Sequence, residues 1–199
     1  MPLEILQAIT ESRLAELRER LAPLLKTHLP ITLEVGSGHG HFLTAYGQAN
    51  PKKFCIGIDL LPDRLARSER KSNRAGLPNI AWLRADVNLF LDALPADTRL
   101  AEIFILFSDP WPKRRHWKNR VLQPDFLSAL AKRTGEGARL CFRTDHAPYY
   151  AQAREFTAQH PDWTLVDEPW PFELVTVFQQ RAAGHQSYIA RRTRCAAQN

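Results

Sequence analysis

Apolar positions fall into two regimes along the chain. Leu3, Leu6, Ile9, Leu14, Leu17, Leu21 and Leu24 recur at helical spacing with Glu and Arg between them, so residues 4–28 are predicted to form one or two amphipathic helices. His28-Leu29-Pro30 ends them. Short apolar runs then alternate with longer amphipathic stretches. They predict strands at 31–35, 53–59, 80–84 and 103–107 and helices at 40–49, 62–75 and 124–133. Gly135-Glu136-Gly137 reads as a turn before a strand at 138–144. The run Ile103-Phe104-Ile105-Leu106-Phe107 is apolar on both faces, the mark of a central strand covered on both sides. Past residue 160 come the end of a helix at Pro161, a strand at 163–166, a loop holding Pro169 and Pro171, and strand-like pieces at 174–179 and 187–191. Alternation of this kind predicts an α/β fold, Rossmann-like, with a mostly parallel central sheet and helices on both faces. The 199 residues amount to one domain, with 1–29 a helical segment ahead of the fold at 30–199.

Composition narrows the class. At 44% hydrophobic and 24% charged, disorder and fibrous repeats are excluded. Cys55, Cys141 and Cys195 lie far apart with no CxxC, which argues against a disulfide framework or a zinc site. His39 and His41 lack a third ligand nearby, so no metal is expected. No apolar run approaches the roughly 18 residues that span a bilayer, and the start lacks a leader pattern. A cytoplasmic protein with no membrane partner, monomer or homodimer, is the expectation. The net charge of +6 favours an anionic partner.

The candidate chemistry sits at the predicted carboxyl ends of strands, where open α/β sheets bind ligands. Strand 31–35 runs into Glu34-Val35-Gly36-Ser37-Gly38-His39-Gly40. Gly36, Gly38 and Gly40 let the backbone turn and approach a ligand closely. A dinucleotide site would show GxGxxG; here the spacing is GxGxG, two residues after an acid. Glu34 repels a pyrophosphate and attracts a cation. Asp59, 19 residues after Gly40, is placed to accept from ribose hydroxyls, and Asp86, at the end of the third strand, from an adenine amino group. Three acids around a glycine turn suit S-adenosylmethionine, which carries a ribose, an adenine, an ammonium and a sulfonium. A dehydrogenase reading fails because Glu34 would face the cofactor phosphates.

After the central strand comes Ser108-Asp109-Pro110-Trp111-Pro112 and then Lys113-Arg114-Arg115-His116-Trp117-Lys118-Asn119-Arg120. The prolines stiffen the segment. An aromatic beside a stiff acid is similar to the base-holding Asp/Asn-Pro-Pro-aromatic motif of nucleobase N-methyltransferases, with Trp111 to stack and Asp109 to aim. Residues 113–120 hold five of the chain's cations and no acid, enough to neutralise backbone phosphates beside a transfer site. Trp82, Trp117, Trp163 and Trp170 read as packing residues. Asp145 is either a pocket acid or a helix cap, and Lys113 either orients Asp109, neutralises a phosphate, or is one more exposed cation.

These motifs, together with Thr144-Asp145 followed by Tyr149 and with Thr176-Val177-Phe178, resemble the bacterial tRNA (guanine-N7)-methyltransferases of the TrmB family over residues 30–195. The resemblance implies S-adenosylmethionine as cofactor and tRNA as partner, with guanine 46 of the variable loop as acceptor. It implies cofactor contacts from Glu34, Asp59 and Asp86 and a central catalytic role for Asp109. It also implies substrate contacts from Lys113, Asp145, Thr176, Val177, Phe178 and Gln179, and RNA contacts from Arg115, His116, Trp117, Lys118, Asn119 and Arg120. Two positions depart from the family pattern: Gln179 replaces a glutamate, trading a double acceptor for an amide, and Asn119 stands where arginine is common. Methylation of another nucleobase or RNA, and a catalytically impaired tRNA-binding homologue, are the alternative readings.

Overall fold

The computed structural model describes residues 3–27, 29–174 and 184–193. Seven strands form one sheet in the order β3-β2-β1-β4-β5-β7-β6. These are β1 (Ile31–Val35), β2 (Phe54–Asp59), β3 (Ile80–Arg84), β4 (Leu100–Leu106), β5 (Thr134–Thr144), β6 (Trp163–Val166) and β7 (Gln186–Arg192). Strands β1 to β5 pair in parallel, and β7 runs antiparallel to both β5 and β6. Strand β4 is the middle one, and Ile103, Phe104 and Ile105 are wholly buried, as its two-sided apolar run predicts.

Among the described residues six α-helices cover the sheet: α1 (Leu3–Leu24), α2 (His41–Ala49), α3 (Pro62–Arg74), α4 (Val87–Ala93), α5 (Pro124–Lys132) and α6 (Ala147–Gln159). Leu17 and Leu21 of α1, Phe90 and Leu91 of α4, Leu127 and Leu130 of α5 and Tyr149 and Ala153 of α6 share one core with Ile31, Leu33 and Val35. On the opposite face Phe42, Leu43 and Tyr46 of α2 and Leu65 of α3 pack with Phe104 and Trp82. Alternate residues of β1 therefore look into different layers, as the two-residue period of a strand requires.

Two expectations change, and one element is added. Helix α4 lies between two predicted strands, in a stretch to which the sequence pattern assigns no element; it is two turns long and its start is set by the Asp86 cap. Gly135-Glu136-Gly137 does not close a turn: β5 runs through it as a bulge, with Gly137 at φ 75° and the register against β4 shifting between Leu100 and Glu102. In α1 the apolar repeat packs only from Leu14 onward, whereas Ile5, Leu6 and Ile9 are exposed. The predicted strand at 174–179 lies outside the described residues from position 175.

Candidate active site

Strand order reverses between β1 and β4, and the crevice at their carboxyl ends is the position at which open parallel sheets bind ligands. A cleft of about 440 Å³ lies there, lined by Gly36 after β1, Asp59 at the end of β2, Asp86 after β3 and Ser108 and Asp109 after β4. Arg64, from the first turn of α3, completes the wall. Four of the residues singled out in the sequence thus meet in one cavity, although no two of them are closer than 20 residues in the chain. A cleft of about 630 Å³ beside α6 contains none of them.

The glycine turn is held from below. Gly36 N and Ser37 N both donate to Ile58 O at 2.9 Å, tying the end of β1 to β2. Gly36 and Gly38 adopt φ of 71° and 55°, where an L side chain is strained. Gly40 has that constraint and no room besides, since a Cβ there would lie 2.6 Å from Trp82 and 2.7 Å from Ser68. Asp59 clamps the turn: Oδ2 accepts from Gly38 N and Oδ1 from Leu61 N, both at 2.9 Å. Oδ2 also faces Arg64 Nη1 at 3.7 Å, and Oδ1 keeps a second acceptor site for a ligand. Asp86 is the N-cap of α4, its Oδ1 accepting from Asn88 N and Leu89 N. Among the described residues its other oxygen takes no hydrogen bond, so the cap and the predicted ligand contact are compatible.

Glu34 is placed differently. It does not line the cleft; it lies 4% exposed beneath the glycine turn, on the α2 side of β1. Its Oε2 has no hydrogen-bond partner among the described residues, nor does Ser37 Oγ. Burial pushes its carboxyl up to about 8, a backbone hydrogen bond at Leu43 and the Lys71 ammonium oppose this, and the Asp59 carboxylate adds to it. A buried carboxyl with one oxygen left unpaired, beneath a turn whose Gly36 is open, supplies a counter-charge to a cation brought to that turn. The residues present therefore fit a ligand with an ammonium at one end and hydroxyl and amino groups at the other.

Beyond β4 the chain enters the segment that carries Asp109. Phe107 and Trp111 have φ of 50° and 45°, left-handed values that cost bulky residues free energy and recur at functional sites. Asp109 is exposed at the cleft wall. A 3-10 turn, Arg114–Asn119, follows. Lys113, Arg114, Arg115, Lys118 and Asn119 are exposed, and His116 and Trp117 half-buried, with His116 edge-on to Trp111 at 5.8 Å between ring centroids.

Arg120 corrects the expectation of an RNA contact. It is 2% exposed: Nε donates to Pro110 O at 2.8 Å and one terminal nitrogen to Gln152 Oε1 at 2.6 Å. Its guanidinium lies 4.3 Å from the Trp117 ring centroid and 4.9 Å from that of Tyr149. A cation enclosed in this way is withdrawn from phosphate, so the basic surface of the run rests on Lys113, Arg114, Arg115 and Lys118. Sequence reasoning counts cations and has no signal for which one is folded inward.

Of the remaining predicted residues, Asp145 is exposed and is not the cap of α6; His146 is, its Nδ1 accepting from Tyr149 N. Thr176, Val177, Phe178 and Gln179 lie outside the described residues. The chain leading to them is anchored by a bidentate pair from buried Arg143 to Glu173 at 2.7 and 2.9 Å, with the guanidinium 4.1 Å from the Trp170 ring centroid. Neither this clasp nor Arg64 at the cleft was singled out from the sequence; Arg64, two residues into a helix that opens with Pro62, carried the only local signal. Trp82 and Trp163 are buried as packing residues.

Residues 28–188 match the family described as "Putative methyltransferase". A tRNA (guanine-N(7)-)-methyltransferase from Ureaplasma urealyticum serovar 10 is 34% identical over 65% of this chain and 58% of its own length. One from Caulobacter vibrioides is 32% identical over 81% of this chain and 74% of its own. The chain thus spans little more than half of the first of these relatives. Among solved structures, the 16S rRNA methyltransferase KamB superposes with a TM-score of 0.61 at 18% identity, over 87% of this chain and 93% of that one. At that identity the likeness concerns the fold alone.

Proposed function

We propose a reaction from the premise that this chain belongs to the putative methyltransferase family, whose relatives include tRNA (guanine-N(7)-)-methyltransferases: transfer of a methyl group from S-adenosylmethionine to N7 of a guanine in tRNA, at position 46 of the variable loop. The observation that carries the reading is the single cleft shared by Gly36, Asp59, Asp86 and Asp109, with exposed cations beginning four residues after the last of them.

S-adenosylmethionine, when bound, supplies an electrophilic methyl group on a cationic sulfonium. The chain's own residues do the rest. Gly36 and Gly38 would admit the ligand to the backbone, the free side of the turn would receive its ammonium with buried Glu34 beneath as counter-charge, and Asp59 and Asp86 would accept from the ribose hydroxyls and the adenine amino group. Guanine N7 has a lone pair and no proton, so no general base is needed. The base gains positive charge as it is alkylated, and Asp109, on the cleft wall, stabilises that charge electrostatically. Lys113, Arg115 and Lys118 hold the phosphate backbone, leaving Trp111 and the stiff prolines to position the base. A tRNA substrate puts this work in the cytoplasm; none of the described helices is long and apolar enough to cross a membrane.

The test is incubation of unmodified tRNA transcript with donor labelled in the methyl group, followed by mapping of the product. Label at guanine N7 of the variable loop is the expected result, and label on another base, or none, would refute the assignment.

A further inference from the structure

We propose that Arg120 is a positioning residue that holds the Asp109-bearing segment in its working conformation, and that it does not contact RNA. The inference rests on the methyl transfer proposed above and names a part of its machinery.

The argument starts from an unusual burial. Arg120 is 2% exposed, and among the described residues its guanidinium has no carboxylate partner; it is satisfied by Pro110 O, Gln152 Oε1 and two aromatic faces. Among the described residues one terminal nitrogen is buried with no hydrogen-bond partner. Burying a cation in this way is costly, and an apolar side chain of similar volume fills such a space at less expense. Stability alone does not account for the arrangement.

Geometry does. The peptide joining Pro110 to Trp111 sets ψ of the first and φ of the second. Arg120 Nε grips that peptide by its carbonyl at 2.8 Å, and the residue after it, Trp111, sits at φ 45°. Rotation of this one peptide would return Trp111 to an ordinary φ and turn the Pro110 carbonyl away from Arg120, releasing the segment that carries Asp109 from its anchor. Pro110 cannot absorb the change in its own φ, which its ring locks. The hydrogen bond therefore opposes the motion that would relax the strain.

The other contacts tie the grip to rigid parts of the fold. Gln152 belongs to α6, and Tyr149, one turn earlier on that helix, is wholly buried; its hydroxyl accepts from Leu122 N at 3.3 Å and meets Ser108 Oγ at 3.5 Å. Arg120 thus links a loop on one side of the cleft to a core helix. Trp117, which also takes Arg114 at 5.5 Å, joins the same stack to the exposed basic turn. A lysine cannot replace the planar fork that bonds two acceptors while stacking on two rings.

The test compares Arg120→Lys and Gln152→Ala with Lys118→Ala and the native chain, with retention of a cooperative melt checked first. For Arg120→Lys the expected result is a kcat for tRNA methylation lower by about 10²-fold, with KM for tRNA and the salt dependence of tRNA binding within about twofold of native. Gln152→Ala, which spares the loop itself, should shift kcat in the same direction by less and stands in if Arg120→Lys fails to fold. Lys118→Ala should show the reverse pattern, a raised KM and a shallower salt slope. A raised KM with unchanged kcat in Arg120→Lys would make it a phosphate contact and overturn the proposal, and so would native kinetics. Amide exchange over residues 107–116 in the unliganded protein reads the pin without any turnover: faster exchange in both variants is expected, and native rates would overturn it. If the native chain methylates no tRNA, the functional reading falls while the exchange result still decides the role of Arg120.

Discussion

Glu34 should make donor binding release a proton. Its carboxyl, raised from 4.5 to about 8 chiefly by burial, is about nine-tenths protonated at pH 7 before ligand arrives. An ammonium seated against it favours the carboxylate and returns the group toward its ordinary value, at which almost none is protonated at pH 7. Binding therefore expels about one proton at roughly pH 6–7, where the donor's own α-ammonium is still charged. Affinity should rise about tenfold per pH unit between roughly pH 5 and 7, and the rise should end near pH 8, where Glu34 is already ionised and the donor's own α-ammonium begins to lose its proton. Calorimetry with S-adenosylmethionine in phosphate and in Tris, whose ionisation heats differ, measures the proton count directly. Glu34→Gln keeps the shape and removes the titration, so its binding heat should not depend on the buffer. A release below about 0.2 proton in the native chain at pH 7 would refute the ammonium socket. The same shift acts on folding with a defined sign. The folded chain binds more protons than the unfolded one between pH 4.5 and about 8, so stability of the unliganded protein falls as pH rises through that window, by up to about 5 kcal/mol, and is flat above it.

Three further outcomes follow from the same geometry. Asp109→Ala should lower kcat by about 10²–10³-fold while tRNA affinity measured by filter binding stays within a factor of a few, because its charge acts on the reacting base; equal losses in both would remove it from the transfer site. Lys118→Ala should reduce the slope of log affinity against log salt by about one unit, read by titration at several salt concentrations. Gly40→Ala places a Cβ 2.6 Å from Trp82 at φ 67° and should destabilise by about 1–3 kcal/mol or more; an unchanged melting temperature would show that the turn yields without cost.

Much of the architecture was legible in the sequence alone. The strands at 31–35, 80–84 and 163–166 appear with the predicted bounds, because apolar runs bounded by Gly, Pro and polar clusters encode local structure directly. The acids at strand ends were legible for the same reason: parallel topology dictates where those ends converge. Other features were decided by what packs against them. Whether Ile5 and Leu6 are covered depends on neighbours that the helical repeat does not name, and whether Gly135–Gly137 closes a turn or bulges depends on the register of β4. Asp86, placed by the sequence at the end of the third strand, also caps α4, whereas Asp109 caps none of the described helices; both stand exposed at the cleft. Glu34 and Arg120 are the clearest cases. Each is a charged residue, and only the folded chain shows that one lies buried under the glycine turn with an oxygen left unpaired and the other is closed between two aromatic rings. Burial of a charge is a property of the surroundings that long-range contacts assemble, and no local pattern records it.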